Sequence, residues 1–167
     1  MMFPINFEYH KRIILVGKAA SGKDNLRKRL ESKGFRYAVS YTTRPPRDGE
    51  EDGVDYFFIK PETAQLMIEA GNFYEYVEFN GWVYGTTKRQ FWGDDLFIMT
   101  PKGISHIKPE DREKSFIIYL DIDVETRKER LLQRDMPGDS LERRIEADEI
   151  DFKEFVDYDL RITNSNF

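Results

Sequence analysis

Short apolar runs punctuate a largely polar chain. Residues 12–16 (RIILV), 96–100 (LFIMT) and 116–120 (FIIYL) are nearly continuous, as expected of strands covered on both faces. Residues 35–39 read as a further strand and 160–163 as a last short one. Stretches of helical composition lie between them. Residues 25–33 (NLRKRLESK) are followed by Gly34, where a helix C-terminal glycine belongs. Asp123 caps a helix over 124–134 with Leu131 and Leu132 on its buried side, residues 135–139 break it, and Ser140 caps another containing Arg143, Arg144, Ile145 and Ala147. Strands alternating with helices predict an α/β fold: a five-stranded parallel sheet flanked by helices and joined by right-handed crossovers.

Residues 40–87 depart from this rhythm. Two prolines and a glycine exclude a regular element over 40–50. Residues 54–59 (VDYFFI) read as a strand, and Pro61 opens a helix that runs to about residue 70 and ends at Gly71. Residues 73–79 (FYEYVEF) read as a strand, Asn80-Gly81 signals a hairpin, 82–84 return from it, and Gly85-Thr86-Thr87 lead to a short helix. This is a small mixed αβ insert carrying most of the aromatic residues. Residues 1–11 read as an arm into the first strand.

Composition narrows the function classes. The 167 residues suffice for one domain with a core, and 40% hydrophobic with 34% charged residues describes a globular chain. The net charge of −5 argues against a general nucleic-acid binder, so any phosphate binding is expected to be local. With no cysteine, thiolate metal sites are excluded, and two histidines argue against an all-protein histidine metal site. Pro4, Glu8 and Lys11 interrupt any leader-like run, and 116–120 is far too short to span a membrane. The expectation is a cytoplasmic protein without nucleic-acid or membrane partners.

The first candidate chemistry is Gly17-Lys18-Ala19-Ala20-Ser21-Gly22-Lys23, a G-x-x-x-x-G-K phosphate loop placed between a predicted strand and a predicted helix. Its backbone N–H groups and the following helix start (Asp24, Asn25) suit a phosphate chain, and Lys23 suits the terminal phosphates. Asp24 stands where Ser or Thr normally serves Mg²⁺. A carboxylate can hold the metal directly or through water, making Asp24 the candidate metal residue.

The text SYTTRPPRDGEEDGVDYFFI, followed by a helix and FYEYVEFNGWVYGTT, resembles the guanylate kinases, nucleoside monophosphate kinases acting on GMP and dGMP. The resemblance runs in order from the phosphate loop to Asn164. It implies a P-loop NTPase-type core (1–39, 88–133 and 145–167), a monophosphate-binding subdomain (40–87) and a short helical lid (134–144). It implies that Arg44 and Arg47 hold the GMP phosphate with Tyr56 and Tyr84, in the manner of guanidinium forks on a dianion. Glu75 matches the acceptor for guanine N1–H and the 2-amino group. Ser40 and Thr86, beside Gly85, match the hydroxyls at the base and phosphate edges. Arg134 and Arg144 match lid arginines over ATP, and Asn164 the residue beside adenine. The implied reaction moves the γ-phosphoryl of ATP, with Mg²⁺, to GMP or dGMP in a monomer or homodimer. Lys23, Arg44, Arg134 and Arg144 supply the neutralising charge.

Three departures qualify the match. Asp24 replaces Ser or Thr. The strand that ends Ile98-Met99-Thr100-Pro101 lacks the family's Asp-x-Asp, while Asp121 and Asp123 read as a loop residue and a helix cap. The sequence stops at Phe167, short of a closing helix common in the family. Two alternatives therefore stand beside the guanylate kinase reading: a kinase for another (deoxy)nucleoside monophosphate, and a non-catalytic protein-binding module. The intact Gly17, Gly22 and Lys23 weigh against the module.

Overall fold

A computed structural model describes residues 8–134 and 139–167. Residues 1–7 of the expected arm and 135–138 of the expected lid lie outside the described residues. The core is a parallel sheet of β1 (Arg12–Gly17), β6 (Leu96–Ile98), β7 (Ser115–Leu120) and β8 (Leu160–Ile162), in the order β6-β1-β7-β8. The period of two along β1 and β7 sorts their side chains onto the two faces. Ile14, Val16, Ile117 and Tyr119 join Phe91, Phe97 and Met99 on one side. Ile13, Leu15, Phe116, Ile118 and Leu120 join Leu26 and Leu30 of helix α1 (Lys23–Glu31) on the other.

Among the described residues the sheet has four strands, not the expected five. Residues 35–39 contribute a single bridge, Tyr37 to Leu96, with the Ala38 N–H donating to the Leu96 carbonyl at 2.9 Å. The chain turns out of the core immediately afterwards, because Tyr41 and Thr42 are already paired in a second sheet.

That second sheet joins β2 (Tyr41–Thr42), β3 (Phe57–Phe58), β4 (Phe73–Phe79) and β5 (Trp82–Thr87) in the order β3-β2-β5-β4. The β4–β5 hairpin turns through Asn80 (φ 53°) and Gly81 (φ 77°), the pair of left-handed residues that matches strand twist. The strand expected over 54–59 shrinks to Phe57–Phe58, because Gly53 (φ 78°) and the Asp55 carboxylate, accepting from the Glu51 N–H, hold the preceding residues in a turn. Helix α2 (Pro61–Glu69) follows β3, and α3 (Lys88–Gly93) returns the chain to the core through a Thr87–Gln90 capping box.

Strand β6 ends earlier than expected. The Thr100 hydroxyl instead caps α4 (Pro101–Ser105), accepting from the Gly103 N–H at 3.0 Å. Helices α4 and α5 (Pro109–Glu113) are absent from the sequence reading, although each carries proline at its first turn. Helix α6 (Val124–Leu132) buries Arg127 and Leu131, one turn apart, and leaves Leu132 71% exposed, correcting its expected burial. Successive helical residues point about 100° apart, so a narrow buried stripe admits only one of two adjacent leucines. Helix α7 (Leu141–Phe152) starts at Ser140, whose side chain accepts from the Arg143 N–H.

Candidate active site

The site lies beyond the carboxyl ends of the parallel strands, where open α/β sheets bind ligands. The phosphate loop leaves β1 at Gly17 and enters α1 at Lys23, with Gly22 at φ 96°, a conformation open to glycine. The Lys23 ammonium donates to the Gly17 carbonyl at 2.5 Å and the Lys18 carbonyl at 3.3 Å. Burial lowers its pKa to about 8, against the opposing fields of Asp148 and Asp24.

One cavity unites the ends of this loop with the insert. Gly17, Ala19 and Lys23 face Ser40, Arg44, Arg47, Tyr56, Glu75, Tyr84 and Gly85 across it, and Arg144 reaches it from α7. Arg44 is 4% exposed and spreads its guanidinium over Glu50 through two hydrogen bonds of 2.9 and 3.0 Å. The Glu50 carboxylate also accepts from the Arg47 N–H at 2.8 Å, fixing the loop that carries both arginines. Burial and the nearby charges of Arg44 and Arg144 lower the Arg47 pKa. The charges of Arg44 and Arg144 thus add to that of Arg47 at the cavity, a field suited to a dianion. Burial, then the neighbouring Tyr84, raises the Tyr56 pKa to about 12, so its hydroxyl remains a donor at neutral pH.

Glu75 occupies the buried face of β4 with Phe73 and Val77, where a strand ordinarily places apolar side chains. It is 7% exposed, and its carboxylate touches α4: a Cβ on Gly103 would stand 2.8 Å from Glu75 Oε2. Burial raises the Glu75 pKa to about 7, with hydrogen bonds from the Thr86 side chain and backbone acting in the other direction. Thr86 is 1% exposed and supports Glu75 from β5.

Other sequence candidates sit around this cavity rather than in its walls. The Lys18 ammonium pairs with Glu149 at 3.1 Å, and Ser21 is buried inside the loop. Ala20 holds φ 61°, and its carbonyl accepts from Arg130 at 2.9 Å. Asn25 is exposed on α1, and Asn164 is exposed just past β8, where Arg130 also donates to the Ser165 carbonyl. Arg134 is exposed at the end of α6, yet its charge is felt at Lys23. The Asp24 carboxylate is 73% exposed and lies 3.4 Å from Arg27.

Sequence reasoning missed several contributors. Tyr37, Met99, Thr100, Asp148, Asp151 and Phe152 line the cavity. Arg127, 1% exposed, links α6 to Asp148 at 3.4 Å, and Asp139 grips Arg143 and Arg144. The only sequence signal of Arg127, Asp148 and Asp151 was charge at helical spacing, the pattern of a solvated helix face.

Fold and site define a P-loop nucleotide-binding protein whose loop opens onto a guanidinium-lined cavity. The family model described as "Guanylate kinase" matches residues 9–167. Guanylate kinase from Sus scrofa is 33% identical over 167 residues, covering 92% of this chain and 84% of its own. Guanylate kinase from Homo sapiens is 35% identical, over 84% of this chain and 77% of its own. Among solved structures, guanylate kinase from Anaplasma phagocytophilum superposes with a TM-score of 0.71 at 21% identity, covering 93% of this chain and 78% of that one. The chain belongs to the guanylate kinase family.

Proposed function

We propose that the chain is a guanylate kinase, transferring the γ-phosphoryl group of ATP to GMP or dGMP to give ADP and the nucleoside diphosphate. The observation that carries this reading is the single cavity in which the loop lysine, a cluster of guanidiniums and a buried carboxylate face one another. Phosphoryl transfer asks for two anions held in line and for neutralised charge, with little proton chemistry. Lys23 and the loop N–H groups hold the donor phosphates, with Arg134 and Arg144 approaching from the lid side and Asn164 beside the base. Arg44, Arg47 and the Tyr56 and Tyr84 hydroxyls hold the acceptor phosphate. Ionised Glu75 accepts from guanine N1–H and the 2-amino group, supported by Ser40 and Thr86. Adenine offers no such donor pair, so it leaves a buried acceptor unmet.

Among the described residues no three His, Asp or Glu side chains converge on a metal position. The Mg²⁺ of this reading arrives on ATP and needs one or two protein carboxylates besides phosphate and water. The exposed Asp24 carboxylate, beside Lys23 at the start of α1, fits that part. Bound Mg²⁺ would neutralise phosphate charge. No helix among the described residues is long and apolar enough to cross a membrane.

Coupled ADP release with Mg-ATP and GMP, dGMP, AMP, CMP, UMP or dTMP tests the proposal. Guanine nucleotides are expected to lead, and turnover preferring another base would remove Glu75 from base recognition. Lys23→Ala is expected to lower kcat by about 10²–10³ while GMP still binds. No turnover with any acceptor, from folded protein, would overturn the enzyme reading.

A further inference from the structure

One buried carboxylate of the cavity has no part in this scheme. Asp148, on α7, is 8% exposed. Its Oδ2 accepts from the Ala19 N–H at 3.0 Å and lies 3.4 Å from Nη1 of Arg127. Arg127 is fixed in turn, donating from Nε to the Ile122 carbonyl at 3.0 Å. Among the charges that sustain the Lys23 ammonium, Asp148 contributes most. A phosphate loop works by turning N–H groups and a lysine toward an anion. Here a loop N–H and the loop lysine face an anion that the chain itself supplies.

We propose that Asp148 and the terminal phosphates of the donor compete for one seat on the loop, so that ATP binds by displacing the carboxylate. The inference rests on the donor reading of the loop given above. The Ala19 N–H has one hydrogen to donate. A phosphate oxygen accepting it would be a near neighbour of the Asp148 carboxylate in a partly closed cavity, and like charges there repel strongly. The carboxylate keeps the loop satisfied and raises the threshold for small anions. A triphosphate chain with several contacts can exceed that threshold, whereas inorganic phosphate with few cannot. A seat filled nine-tenths of the time lowers apparent donor affinity about tenfold.

Calorimetric titration of the full chain with ATP, once in EDTA and once with Mg²⁺, tests this. Asp148→Asn is expected to bind ATP about tenfold more tightly in both conditions. Damage to the fold would move affinity the other way. Glu146→Gln removes one charge from the exposed face of the same helix but leaves the seat filled, so its affinity should stay within about twofold of the unmutated chain. Unchanged or weaker binding by Asp148→Asn overturns the inference, and a loss confined to Mg²⁺ assigns Asp148 to the metal instead. An equal gain from Glu146→Gln traces the effect to net charge and also overturns it. If no form bound ATP, the donor reading itself would fall. Should Asp148→Asn not fold, a structure of the unmutated chain with a non-hydrolysable ATP analogue decides. The carboxylate should have left Ala19, and an intact Asp148–Ala19 hydrogen bond beside bound triphosphate overturns the proposal.

Discussion

In the core sheet every residue of β1 and β7 is buried, and apart from Arg12, Ser115 and Tyr119 they are apolar or glycine. In the insert sheet the strands are only partly covered, and the buried positions include Thr42, Glu75 and Thr86, with Arg44 just beyond β2. The core sheet gains stability from burial on both faces. The insert buries groups that water would rather keep, and each requires a partner: Glu50 for Arg44, Thr86 for Glu75. One sheet is built to stay folded. The other buries charge, which costs stability.

Substitution in the core gives the largest expected effect on stability. Ile117 is fully buried in β7, and Ile117→Ala should cost about 2–5 kcal/mol in denaturant unfolding. A cost below 1 kcal/mol would mean that the core carries less than its burial implies.

The insert should respond in the opposite sense. A Glu75 carboxyl raised from its ordinary 4.5 to about 7 is favoured as the neutral acid in the fold. Its contribution to stability is fully present below pH 4.5 and is lost as pH rises through 7. Glu75→Gln should therefore stabilise the ligand-free protein increasingly with pH, by about 3 kcal/mol at pH 8 as an upper bound. The same change should weaken GMP about 10–100-fold. GMP binding by the unmutated chain should weaken as pH falls below about 7, because the neutral acid cannot accept both guanine donors. Thermal melts across pH 5–8 and GMP titrations at the same pH values check both halves. A destabilised Glu75→Gln protein would erase the contrast between the sheets.

The smallest effect is expected at Leu132. Exposed on α6, it should tolerate alanine within about 0.5 kcal/mol, whereas Leu131→Ala, one position away, should cost about 2–5 kcal/mol in the same unfolding assay. Similar losses at both positions would restore the wider buried face that the sequence suggested.

The apolar runs located β1 and β7 because a strand covered on both faces leaves an unbroken local signature. The motif GKAASGK located the phosphate loop because its geometry depends on neighbours in sequence, and the hairpin at Asn80-Gly81 was legible for the same reason. The run at 35–39 misled because its neighbour, not its composition, limits it to one bridge with Leu96.

Sequence by itself determined the class of fold, the phosphate-loop motif and the residues proposed for the acceptor. Each is written in contiguous text, either as a periodicity or as a motif that one resemblance covers. Only the tertiary structure decided how those pieces meet. It placed Glu75 against Gly103, brought Arg44, Arg47 and Arg144 to one cavity and set Asp148 on the Ala19 N–H from 129 residues away. Burial and the pairing of charges distant in sequence are properties of packing, and no local pattern records which helix turn will face the loop.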